Sequence, residues 1–165
     1  MAFHTDKEKM FAIDFESCSR QLYAVAKIHL NNLEDVNDVV QETVLLAYKN
    51  YNSLRNKAYF KTWITRILLN EIKKQYKKSQ KEKVIAYKEI GFDETNRSDN
   101  SLLLRSCISK CDLTTQQIIY LKYYADYTFQ EIAHTLRIPL GSVKTKCYRG
   151  LKEIKKLIQE DDMHE

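Results

Sequence analysis

Glycine and proline are scarce in this 165-residue chain, which has three Gly and one Pro. Average usage would supply about twelve Gly and about eight Pro. Strand-and-turn architectures depend on those residues, so the deficit points to an all-helical chain. It also excludes a glycine-rich phosphate cradle, because Gly91, Gly141 and Gly150 cannot form G-x-G-x-x-G or G-x-x-x-x-G-K. The common nucleotide-dependent enzymes are thereby set aside. No run approaches the ~18 apolar residues of a membrane span. The segment from Met1 to Lys9 is charged and has no signal-peptide apolar stretch, so the expected compartment is the cytoplasm. The four cysteines form no C-x-x-C and have no His at metal spacing; they read as small apolar fillers in a reducing compartment, with no metal expected.

Apolar residues make up 44% of the chain and charged residues 30%, enough for a true core. The net charge of +5 is unevenly spread. Residues 1–51 carry −3, residues 52–88 carry +9, residues 89–115 carry −2 and residues 116–165 carry +1. Within the last block, Arg137 to Lys156 holds seven basic residues and one acid, Glu153. Two basic runs therefore alternate with acidic ones. A single basic run is usually a solvated helix face. Two runs, each with interleaved aromatics, point to nucleic acid.

Helical periodicity covers Phe11 to Leu33, with Phe15, Cys18, Leu22, Ala26 and Leu30 inward. A second helix is expected over Glu34 to Tyr51, with Val36, Val39, Val40, Val44, Ala47 and Tyr51 on its apolar face. Asp35, Asp38, Gln41, Glu42 and Leu45 lie off that face. Residues 51–57 read as a loop. The spacing then predicts a helix over Ala58 to Lys78, with Phe60, Trp63, Ile64, Ile67, Leu68, Ile72 and Tyr76 inward. Ser79 to Asn100 is polar and reads as a flexible linker, with a trace of helix up to Tyr87. Ser101 to Cys111 and Thr114 to Tyr124 are further helices. The expected organisation is two small helical domains, 1–78 and 101–165, joined by 79–100.

Thr128-Phe129-Gln130-Glu131 is a capping box that opens a short helix through Thr135. Leu136-Arg137-Ile138 is a turn, and Pro139 suits the start of the next helix, Leu140 to Ile158. A short helix, a three-residue turn and a basic second helix make a helix-turn-helix. Ile132, Leu136, Ile138, Val143, Cys147 and Leu151 would form its core. Ser142, Lys144, Thr145, Lys146, Tyr148, Arg149 and Lys152 would stay exposed.

Three stretches, in this order, resemble the bacterial RNA polymerase sigma factors of the sigma-70 family, extracytoplasmic-function (ECF) subgroup. Glu34 to Thr43 is similar to the D-x-x-Q-E segment of the family's second conserved region. Phe60 to Asn70 is similar to F-x-x-W-x-x-R-I-x-x-N. Thr128 to Arg149 follows S/T-x-x-E-I-A-x-x-L-x-I-P-x-G-T/S-V-K-T/S. The likeness spans about residues 10–78 and 101–158. Three positions depart from it: Arg137 replaces the usual turn Gly, Lys146 the usual Arg, and Thr114 the frequent Pro.

The resemblance implies a non-enzymatic initiation factor with no cofactor, which binds core RNA polymerase and promoter DNA, both double-stranded and melted. Asp38, Gln41, Glu42 and Leu45 would dock on the clamp helices of the polymerase β′ subunit. The −10 element would fall to Asn52, Ser53, Arg55, Asn56, Tyr59, Lys61, Trp63, Arg66, Asn70, Lys73 and Lys74. The loop residues would supply donors to a flipped base, and the aromatics and cations would hold the single strand. Trp63 also has core spacing with Phe60 and Ile67, and Asn70 suits either a DNA contact or a loop cap. The −35 element would be read by Ser142, Lys144, Thr145, Lys146, Tyr148, Arg149 and Lys152. Lys144, Thr145, Tyr148 and Arg149 would reach base edges, while Lys146 and Lys152 would hold phosphates. The second domain would also meet the β flap, and an anti-sigma factor is a further implied partner.

Two other readings compete. An ordinary dimeric helix-turn-helix regulator accounts for 128–149 but not for the Asp38/Gln41/Glu42 face or the Trp63-Arg66-Asn70 pattern. An enzyme is disfavoured because His4, His29, His134 and His164 are scattered and no nucleophile–base pair lies at chemical spacing.

Overall fold

The computed structural model describes residues 5–30, 32–83 and 99–162. Among them no strand occurs, as the Gly and Pro deficit foretold. Seven helices run in order: α1 (Asp6–His29), α2 (Leu33–Asn50), α3 (Phe60–Lys83), α4 (Asp99–Ser109), α5 (Leu113–Tyr123), α6 (Phe129–Leu136) and α7 (Leu140–Asp162). Single 3₁₀ turns at Tyr51–Ser53 and Lys57–Tyr59 lie between α2 and α3. The chain divides into two compact units, Met1–Phe92 and Asp93–Glu165.

In the first unit α1, α2 and α3 pack pairwise. α1 starts five residues before the expected Phe11. Thr5 Oγ1 accepts from the Glu8 amide at 3.3 Å and Glu8 Oε2 accepts from the Thr5 amide at 3.1 Å, a capping box that lies upstream of the apolar repeat. α1 ends at His29 rather than Leu33, because Asn32 caps α2 by accepting from the Asp35 amide at 2.7 Å. Asp35, read as surface-polar, also accepts from Gln75 Nε2 at 2.8 Å and so ties the start of α2 to α3. Leu22, Val25, Val36, Val40, Ile64, Leu68 and Ile72 are all fully buried between the three helices.

α3 extends from Phe60 to Lys83, beyond the expected Lys78. Its Tyr76 is not inward: the ring is 45% exposed while its hydroxyl reaches the His29 carbonyl at the end of α1. Residues 84–98, the bulk of the expected linker with its trace of helix near Tyr87, lie outside the described residues.

In the second unit α7 packs against α4, α5 and α6, and α5 against α6. Cys107, Ile108, Cys111, Ile119 and Ile154 form one buried cluster. Asp112 caps α5, accepting from the Thr115 amide at 3.1 Å and the Thr115 hydroxyl at 2.5 Å. This sets the helix start at Leu113, one residue before the expected Thr114. All four cysteines are free and buried, and burial pushes the Cys18 thiol up to about 11.

Candidate polymerase and nucleic-acid interfaces

The inner side of α2 is Val36, Val39, Val40, Thr43 and Ala47, and the Thr43 hydroxyl is satisfied by the Val39 carbonyl at 2.7 Å. Helical spacing therefore places Asp38, Gln41, Glu42 and Leu45 on the opposite side, at i, i+3, i+4 and i+7. All four are exposed, Leu45 at 54%. The result is an acidic stripe with an apolar residue at its end.

An aromatic cluster holds the loop that follows. The Phe11 ring meets Tyr48, Tyr51 and Phe60 edge-on, with centroids 5.4, 5.3 and 5.7 Å away. Tyr51 is 3% exposed, and its hydroxyl donates to Asp14 Oδ2 at 2.5 Å. Burial, with that carboxylate beside it, pushes the Tyr51 phenol up to about 12. Beyond this anchor Asn52, Ser53, Arg55 and Asn56 are exposed. Ser53 Oγ donates to the Asn50 carbonyl at 2.7 Å, and Asn56 Oδ1 accepts from the Ala58 amide at 3.0 Å.

Along α3, Phe60, Ile64, Leu68 and Ile72 define the inner side. Tyr59, Trp63, Arg66, Asn70, Lys73 and Lys77 recur every three or four residues on the outer side. Tyr59, Asn70, Lys73 and Lys77 are exposed, whereas Trp63 and Arg66 are half-buried. The Trp63 ring leans on Phe60, with centroids 5.9 Å apart, so it has both core contact and an open edge. Asn70 sits mid-helix and caps nothing. Lys74 is 2.6 Å from Glu71 Oε1. Lys61 stands half a turn from the outer stripe, on the side where its charge bears on Cys18 of α1. The geometry thus gathers the expected residues of this stretch except Lys61 and Lys74, the latter turned to Glu71, and adds Lys77.

In the second unit the capping box is present: the Glu131 amide donates to Thr128 Oγ1 at 3.1 Å and the Thr128 amide to Glu131 Oε2 at 2.7 Å. Arg137 ends α6 in the left-handed region, φ 56° and ψ 45°. Pro139 precedes α7, and its carbonyl accepts from the Val143 amide at 3.1 Å. Val143, Cys147, Gly150 and Ile154 are the buried side of α7. Ser142, Lys144, Thr145, Tyr148, Arg149 and Lys152 are exposed, and Tyr148 rests edge-on against Phe129 at 6.0 Å. Lys146 departs from the expectation: it is half-buried, with Nζ 3.7 Å from Asp112 Oδ1. Among the described residues no group of His, Cys, Asp or Glu could hold a metal ion, and no helix is long and apolar enough to cross a membrane.

Residues 15–82 match the family model for sigma-70 region 2, and residues 101–154 match that for sigma-70 region 4. The chain belongs to the sigma-70 family. It is similar to the sigma factor SigV of Bacillus subtilis, 25% identical over 146 residues that cover 87% of this chain and 88% of SigV. It is also similar to the ECF sigma factor SigW of the same organism, 27% identical over 157 residues, covering 85% and 84%. The fold is that of the Bartonella quintana sigma factor RpoE solved with the anti-sigma factor NepR, with a TM-score of 0.71 at 18% identity over 92% of this chain and 98% of that one. As an ECF sigma factor, the chain binds RNA polymerase and directs transcription initiation at promoters.

Proposed function

We propose that the two units divide promoter recognition between them. The first unit, assigned to residues 1–78, docks on the β′ clamp helices through Asp38, Gln41, Glu42 and Leu45. It captures the melted −10 strand on the loop Asn52, Ser53, Arg55 and Asn56 and on the outer α3 stripe of Tyr59, Trp63, Arg66, Asn70 and Lys73. The second unit, assigned to residues 101–165, meets the β flap. It places α7 in the major groove at −35, with Lys144, Thr145, Tyr148 and Arg149 at base edges and Lys152 on phosphate. Residues 79–100 are the tether.

The observation that carries this reading is the pairing of an acidic stripe with two separately built basic helix faces. The acidic stripe repels DNA and suits a basic protein surface, while the basic faces suit a polyanion. The factor acts without chemistry or cofactor of its own, in the cytoplasm. An anti-sigma factor is a further partner, supported by fold neighbours that were solved as such complexes.

Run-off transcription with core polymerase and genomic DNA tests the proposal. Discrete transcripts that require the chain are expected, and their absence would defeat it. A palindromic footprint without polymerase would instead establish an ordinary helix-turn-helix regulator.

A further inference from the structure

The loop assigned to the −10 strand is a closed ring rather than a free segment. Tyr51 enters it and Lys57 leaves it. Lys57 Nζ donates to the Tyr51 carbonyl at 2.9 Å and lies 3.2 Å from the centroid of the Tyr51 ring. The Tyr51 hydroxyl in turn donates to Asp14 of α1 at 2.5 Å. The tyrosine is thus held at its hydroxyl by an anion, on its ring by a cation and at its edges by Phe11 and Phe60. Between the two pinned ends stand the exposed Asn52, Ser53, Arg55 and Asn56.

We propose that Asp14, Tyr51 and Lys57 form a brace that fixes the base-capturing shape of residues 52–56, and that they are positioning residues for promoter opening rather than DNA contacts. The proposal rests on the assignment of this loop to the −10 strand.

The physical case is one of ordering entropy. A loop that must be ordered when a strand binds loses backbone freedom at that moment, and affinity falls accordingly. The brace places that loss at folding. The Lys57 charge suits the brace because an ammonium over an aromatic face is attracted to the ring, most strongly when partly desolvated. Lys57 is half-buried. It would otherwise be counted with the basic run as one more phosphate ligand. Its position over a buried ring sets it apart from Arg55, which is exposed.

The test uses holoenzyme assembled from the full chain and core polymerase. The probe is a fluorescent single-stranded oligonucleotide carrying the −10 element of a promoter found by run-off transcription, titrated over a range of salt. Lys57→Met and Tyr51→Phe are each expected to weaken binding about tenfold. The salt slope should not change, because no phosphate contact is lost. Lys57→Arg keeps a cation over the ring and should restore most of the affinity. Affinity for core polymerase should be unchanged throughout.

A salt slope reduced by about one phosphate contact in Lys57→Met would make Lys57 a direct DNA ligand and overturn the brace. Unaltered affinity in both variants would overturn it equally. Arg55→Ala and Asn56→Ala separate this proposal from the reading beneath it. If they also bind like the parent, the loop is not the −10 reader. If they weaken binding while the brace variants do not, only the brace is wrong.

Discussion

Gly150 of α7 lies directly against Thr115 of α5. A Cβ at position 150 would collide with Thr115 Cγ2 and stand 3.2 Å from Ile119 Cδ1. Thr115 is buried and cannot turn aside, because Asp112 holds both its amide and its hydroxyl. Gly150 therefore lets α5 and α7 approach closely. Gly141, in the first turn of α7, has nothing within 4 Å of a Cβ. The two substitutions should consequently have opposite signs. Gly150→Ala gains helix propensity but overpacks the interface, for a net loss of about 1–2 kcal/mol. Gly141→Ala relieves helical glycine at no steric cost and gains about 0.5–1 kcal/mol. Urea unfolding followed by circular dichroism would check both, and shifts of the same sign would refute the packing argument.

Arg137 offers a second stabilising change. It takes up the left-handed conformation that closes α6, where the Ile138 amide donates back to the Ala133 carbonyl at 3.2 Å. A side chain in that region is strained by roughly 1–2 kcal/mol, which glycine avoids at a smaller entropic cost. Arg137→Gly should raise stability by about 0.5–1 kcal/mol. A lower melting temperature would show that the arginine side chain compensates for its own strain.

These effects mark what the sequence could and could not disclose. The helices, the Thr128–Glu131 capping box and the turn at Leu136-Arg137-Ile138 are local, so residue order and spacing reveal them, whereas the left-handed conformation of Arg137 has no signal in an arginine. The Thr5–Glu8 capping box is equally local, but it lies ahead of the apolar repeat that begins at Phe11. Lys61 was separable too, since helical spacing alone puts it half a turn from Tyr59 and Trp63. Long-range partners are a different matter. Nothing in residue order tells that Tyr51 would close on Asp14, that Gln75 would reach Asp35, or that Lys146 would turn to Asp112. Those pairings follow from how the helices pack, and they decide which polar side chains are left for a partner. Trp63 remained divided between core and surface in the sequence, and its half-buried ring on Phe60 serves both.

Acid should weaken the first unit through His29. Its Nδ1 lies 2.8 Å from the Val25 carbonyl, which only accepts, so this nitrogen carries the proton in a neutral ring. Burial holds the imidazole below its usual range. The unfolded chain therefore takes up a proton near the ordinary histidine value of about 6.5 while the folded chain does not. Stability from this group is present above that pH and is lost as pH falls through it. Denaturation midpoints measured between pH 7.5 and 5.5 should decline, and His29→Gln should flatten the decline. An unchanged slope in the variant would place the acid sensitivity elsewhere.

Charge on the α2 stripe should govern assembly with polymerase. Asp38→Lys and Glu42→Lys reverse charge at exposed positions that make no contact with the core of the unit, so folding should be unaffected. Each is expected to weaken binding to core polymerase about tenfold or more, chiefly at low salt. Leu45→Ala should weaken it at all salt concentrations, since an apolar contact is unscreened. Sedimentation or pull-down with core enzyme measures this, and full retention by both reversals would remove the stripe from the interface.

On α7 three neighbouring cations should behave in three different ways. Arg149 and Lys152 are exposed on the outer face, whereas Lys146 is half-buried beside Asp112. Arg149→Ala should relax sequence preference at one −35 position, at a cost of about 1–3 kcal/mol on the preferred base. Lys152→Ala should weaken binding evenly across sequences and reduce the salt slope by about 0.9, the signature of one lost phosphate contact. Lys146→Ala should leave both the sequence preference and the salt slope alone, because its charge is directed at the cap of α5 and not at DNA. Its effect should be a small loss of stability, since an ion pair this exposed contributes at most about 1 kcal/mol. Salt titrations of holoenzyme on a −35 library distinguish the three. A reduced slope for Lys146→Ala would show that the lysine leaves Asp112 when DNA arrives.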